Sequence, residues 1–133
     1  MNRAQVSMDF LIVASVVMIL FAAVFSVYTA KKESAAGAES MMSAQSICEL
    51  AAWKMNSVLQ AGNGSSTTLF LPETLSTGEN YSLEVVGHRV EIVWPVSSPN
   101  QTYSSPVLGS VAGSLATGEE IKITNKEGVI VVS

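Results

Sequence analysis

Nineteen consecutive residues without a charge, a proline or a glycine, FLIVASVVMILFAAVFSVY from Phe10 to Tyr28, constrain this chain more than any other feature. A helix of that length is about what is needed to cross the hydrocarbon core of a bilayer. The chain has 133 residues, of which 48% are hydrophobic and 14% charged, and the apolar excess is concentrated in this one run. Without the run, an ordinary, mildly acidic domain remains.

The charges exclude one class of partner. The net charge is -4, and the seven basic residues form no cluster beyond Lys31-Lys32. Nucleic acid is not expected to bind, because phosphate neutralisation needs several cations on one surface. A single cysteine, Cys48, rules out an intramolecular disulfide, and no Cys/His pattern suggests a metal or a cofactor.

Behind the apolar run the sequence turns amphipathic. Met41, Ala44, Cys48, Ala51, Met55 and Val58 recur at steps of three or four, with Ile47 and Leu59 beside them, while Glu39, Ser43, Ser46, Glu49 and Asn56 fall on the opposite face. Ala61-Gly62-Asn63-Gly64 reads as a helix stop. Gly37 costs about 1 kcal/mol inside a helix without ending it. Unbroken from Val6 to Ala61, such a helix would measure about 84 Å, too long for a domain of this size to hide.

After Gly64 the period shortens to that of strands, expected at Thr67 to Leu71, Tyr81 to Val86, Arg89 to Trp94, Glu120 to Thr124 and Val129 to Val132. Gly87-His88 and Asn125 to Gly128 are expected to be hairpin turns. SSPNQTYSSPVLGSVAGSL between them reads as a surface loop with one edge strand near Val107. The expected fold class is α+β: a long N-terminal helix, apolar then amphipathic, packed through residues 41 to 59 against a small C-terminal antiparallel sheet. Trp53 and Trp94 are expected to pack near that interface, Cys48 to be buried, and Met41-Met42 to serve a core or an intermolecular contact.

Asn63-Gly-Ser65, Asn80-Tyr-Ser82 and Asn100-Gln-Thr102 fit the N-glycosylation acceptor pattern. They are either acceptors on an extracytoplasmic surface or chance matches in a segment rich in Asn, Ser and Thr.

The segment Arg3-Ala4-Gln5-Val6-Ser7-Met8-Asp9-Phe10-Leu11 resembles the class III signal peptide of archaeal type IV pilins. In that family a short basic leader ends before a glutamine followed by x-Ser-x-(Glu or Asp)-(aromatic)-Leu and a long apolar helix. Arg3, Gln5, Ser7, Asp9, Phe10 and Leu11 fill those positions, with Asp where Glu is usual. The resemblance implies a leader at residues 1–4 cut between Ala4 and Gln5, a transmembrane and filament-core helix at 5–30, an amphipathic continuation at 31–61 and a β head at 62–133. It implies a structural subunit of a surface filament, held in the membrane before assembly and polymerised with itself. Its partners would be a prepilin peptidase, an assembly ATPase and a membrane platform protein.

Asp9 would then pair with the new α-amino group of Gln5 on a neighbouring subunit, since a charge buried without a partner costs several kcal/mol. Small residues at Ala14, Ser15, Ala22, Ala23 and Ser26 would let helices approach closely. A simpler reading makes Ser7 a helix cap and Asp9 a first-turn acid stabilised by the macrodipole. The alternative function is a minor or non-polymerising, membrane-anchored protein of the same architecture. A secretory signal cut at Ala36-Gly-Ala38 fits less well, because its apolar core should be shorter.

Catalysis finds no constellation. His88 stands in a turn without triad partners, Glu119-Glu120 point to opposite faces of a strand, and no phosphate loop is present. No catalytic residue, metal ligand or enzymatic activity is expected.

Overall fold

A computed structural model describes the backbone of residues 2–95 and 100–133 and the side chains of residues 8–95 and 100–133. One helix, α1 (Asn2–Gln60), is followed by β1 (Ser66–Phe70), β2 (Ser82–Val86), β3 (Arg89–Trp94), β4 (Gln101–Pro106), β5 (Ser110–Ala112), β6 (Glu120–Lys126) and β7 (Val129–Val132). The chain divides into two compact units, Met1–Ala36 and Gly37–Ser133. The α+β class is present, with the helix of the second unit packed on C-terminal sheet.

In the first unit α1 is apolar and uncovered. From Met8 to Ala36 every side chain is exposed except the half-buried Ala14. Two of its hydroxyls bond within the helix: Ser15 Oγ reaches the carbonyls of Leu11 and Ile12 at 2.9 and 2.8 Å, and Thr29 Oγ1 donates to Ser26 O at 2.9 Å. Hydroxyls bonded in this way do not oppose transfer into an apolar medium. The helix already begins at Asn2 and has no acid in its first turn. Ser7 therefore has helical backbone instead of a cap's, and Asp9 lies beyond the reach of the terminal macrodipole, which fades within one turn.

Among the described residues, the second unit has seven strands in two sheets. One has the order β1-β6-β7-β5 and the other β2-β3-β4. All pairs are antiparallel except β5 with β7. The helix buries Ala44, Ile47, Cys48, Ala51, Ala52, Met55 and Val58 against Leu69, Val90, Ile92, Trp94, Ile123 and Ile130 of these strands. Burying side chains of this size stabilises by about 1.5–3 kcal/mol each for the larger ones. Polar bonds fix the register of helix on strands. Tyr103 Oη donates to Glu49 Oε1 at 2.9 Å, which raises the phenol's pKa, and Asn56 bridges Pro106 O at 3.3 Å and Leu108 N at 2.8 Å.

The helix stop at 61–64 is where the sequence places it. Gly62 takes φ +94°, and its N–H bonds Leu59 O at 3.2 Å. The Asn125 to Gly128 turn tightens to two residues, Glu127 and Gly128, at φ +55° and +87°, the signs a type I′ hairpin requires.

Several expectations change. The segment expected to be mostly loop carries two strands, β4 and β5, and Val107 between them is buried in the core instead of lying on an edge strand. Ser97 to Pro99 of that segment lie outside the described residues. Trp94 is buried, but Trp53 is 63% exposed, as are Met41 at 50% and Met42 at 67%, so none of these three belongs to the core. The buried stripe passes instead through Ser40 and Ala44, one residue from Met41 on the helix turn.

Candidate assembly helix

The residues singled out at the N-terminus all lie on one helix. Arg3, Ala4, Gln5 and Ser7 have helical backbone, and their side chains lie outside the described residues. Asp9, Phe10 and Leu11 are described and exposed. Leu11, Ile12 and Val13 project about 100° apart around the axis, yet they are 62%, 57% and 62% exposed. Among the described residues of this segment, side chains on every face are exposed. A helix that is apolar all round is stable only where lipid or other helices enclose it.

Charges bracket the run. Asp9 stands one residue before it, Lys31 and Lys32 three and four residues after it, and all three are exposed. The interval from Asp9 to Lys31 spans about 33 Å, enough to set each at opposite edges of a hydrocarbon core. By length and composition α1 is able to cross a membrane. Chemically, Asp9 offers a carboxylate at the rim of an apolar column, where an amine is the group that would neutralise it.

Helical geometry brings some of the small residues together and separates others. Ser15, Ala22, Ser26 and Thr29 fall within an arc of about 60°, while Ala14 and Ala23 lie to either side. The rings of Phe21 and Phe25 stack at 6.4 Å, one turn apart.

Asn63, Asn80 and Asn100 are all exposed. Asn63 Oδ1 accepts from Glu127 N at 2.9 Å, and Ser65 Oγ of the same triplet lies 2.6 and 2.7 Å from Val58 O and Gly62 O. Asn80 bridges Thr74, and Asn100 precedes β4, on which Thr102 is exposed. His88, Glu119 and Glu120 are exposed. Among the described residues no group of three or more His, Cys, Asp or Glu is placed to hold a metal. Cys48 is fully buried with its thiol 3.2 Å from Val90 O, and burial pushes its pKa up to about 11. A thiol held so far from its thiolate is a packing group.

Sequence reasoning placed Ser65 in an acceptor triplet and Asn125 in a turn, and missed that both close the end of α1. Their signal, Ser and Asn near turns, is too common to single them out.

No protein-family model, no curated protein and no solved structure matches the chain.

Proposed function

We propose that this protein is a structural subunit, a pilin, of an archaeal type IV pilus-like surface filament. The observation that carries the reading is the succession of Gln5, Ser7, Asp9, Phe10 and Leu11 leading into a helical segment that is apolar, with its described side chains exposed on every face. Before assembly the lipid would enclose that helix; afterwards, neighbouring copies would. Cleavage between Ala4 and Gln5 creates an α-amino group that does not exist at this position in the precursor, and Asp9 of an adjacent copy is the carboxylate that neutralises it. Processing thereby gates polymerisation. The peptidase, the ATPase and the platform protein act on the precursor and the growing polymer, and the sequons place glycans on the outer surface.

The second reading is a membrane-anchored protein of the same architecture that does not polymerise, or does so only as a minor component. The exposed Lys31-Lys32 pair behind the run favours it, since such a pair suits a permanent anchor at the membrane surface.

Mass spectrometry of the terminal peptide, from native membrane and sheared surface fractions, tests both. A chain starting at Gln5 and dominating the sheared fraction supports the pilin. A start at Met1 with the protein confined to membranes replaces it with the anchor, and a start at Glu39 replaces both with a secreted domain.

A further inference from the structure

We propose that the free edge of β2 is a docking site for an extended segment of a partner protein, one that alternates apolar and basic side chains and adds to β2-β3-β4 as a fourth strand. The two-residue turn at Gly87-His88 makes Val86 and Arg89 the closing hydrogen-bonded pair. Bonded pairs alternate from there, so Glu84 and Ser82 also bond to β3, and the N–H and C=O of Leu83 and Val85 point away from it. The opposite side of β3 agrees: Val107 N donates to His88 O at 2.8 Å, which directs Val90 and Ile92 toward β4 and leaves Glu91 to face β2. Among the described residues, none bonds the outward backbone groups of Leu83 or Val85.

These groups open into a groove. Two adjoining depressions of about 480 and 310 Å³ lie between β2 and residues 113–117, and both are lined by Leu83, Glu84, Ser114 and Leu115. Residues 113–117 form no strand, so the groove has one wall that can pair and one that cannot. The pairing wall, Tyr81 to Val85, is about 14 Å long, room for a short strand. Unpaired edge groups of this kind are what an incoming extended backbone satisfies.

The side chains around the edge set the chemistry of the occupant. Toward the core an added strand meets Leu83, Val85 and Leu115, which are buried or half-buried. On the outer face it meets Glu84, already opposed by Glu91 on β3. Like charges directly across a sheet are destabilising, and a basic residue on the other side of Glu84 offsets them. A second copy of this chain brings no such residue on its own edge strands: β1 is STTLF, β2 SLEVV, β4 QTYSSP and β5 SVA.

The test uses the full chain in detergent micelles, amide hydrogen exchange by NMR, and a blocked Thr-Val-Lys-Val-Thr peptide as probe. At millimolar probe the amides of Leu83 and Val85 are expected to exchange about tenfold more slowly. Methylating the peptide nitrogens that face β2 is expected to abolish this protection, and Glu84→Lys to transfer the preference to a probe with Glu at its centre. Unchanged exchange at both amides, equal protection by the methylated probe, or protection that rises with protein concentration in the absence of probe each overturns the proposal. The methylated probe keeps the test decisive even if the substituted chain does not fold.

Discussion

The side-chain amide nitrogen of Asn125, on β6, stands 3.4 Å from the carbonyl oxygen of Val58 in the last turn of α1. A helix leaves its final carbonyls without partners, and here a buried strand residue supplies one, while Asn125 Oδ1 accepts Gly128 N at 2.9 Å and so fixes the β6–β7 turn as well. Asn125→Ala removes these bonds and a buried polar side chain, leaving Ser65 Oγ, at 2.6 Å, as the partner of Val58 O. It is expected to cost about 1–3 kcal/mol and lower the melting temperature of the second unit by roughly 5–15 °C, measured by near-UV circular dichroism.

The turn that Asn125 anchors is not optimally filled. Glu127 is the one described non-glycine residue with positive φ, a position that Asn or Gly adopts with less strain. Glu127→Asn is expected to stabilise by about 0.5–1 kcal/mol in thermal unfolding, and Gly128→Ala to destabilise by at least as much.

Glu84 and Glu91 face each other across β2 and β3. Glu84→Gln removes the like-charge pair and is expected to raise stability by about 0.2–1 kcal/mol at low salt. The gain should shrink in molar salt, where screening already weakens the repulsion, and unfolding in urea at two ionic strengths measures both.

Alkaline pH should unfold the second unit through two buried acids. Burial raises Cys48 from 9.0 to about 11 and Tyr81 from 10.0 to about 12, and Tyr81 Oη also donates to Pro72 O at 2.5 Å. Above pH 9 the unfolded chain loses these protons first, so it binds fewer than the folded chain and stability falls as pH rises. The stabilisation is complete below pH 9 and is lost progressively toward pH 12, which urea midpoints across that range will follow. In the same folded chain Cys48 is expected to resist iodoacetamide at pH 8 and to react once denatured.

Asp9 carries the assembly proposal. Asp9→Ala is expected to reduce sheared filament at least about tenfold while processing at Gln5 and the membrane level stay unchanged, because an unpaired buried amine costs several kcal/mol. Asp9→Glu should restore filament. A wild-type yield from Asp9→Ala would remove the charge pair from the account.

Much of this fold is legible residue by residue. The helix from residue 2 to 60 follows from an unbroken run of helix-compatible residues, and Gly62 and Gly64 mark its end. β2, β3, β6 and β7 show apolar alternation around two-residue turns, so four strands and both hairpins can be read directly. β4 and β5 cannot, because QTYSSP and SVA lie at sheet edges and bury almost no side chain, which removes the alternation that periodicity detects. Trp53 misleads for the opposite reason: aromatic character implies burial, but its place on the helix turn points it to solvent.

The sequence by itself determined that an apolar helix must find lipid or other helices around it, because nineteen uncharged residues admit no other stable surrounding. It also set the hairpins, which depend on neighbours along the chain. Only the tertiary structure decided that the strands divide into two sheets, that β5 runs parallel to β7, that Asn125 closes the helix, and that β2 keeps an open edge. Those features join residues from distant parts of the chain, and their energies depend on which backbone groups are left unpaired once the core has packed.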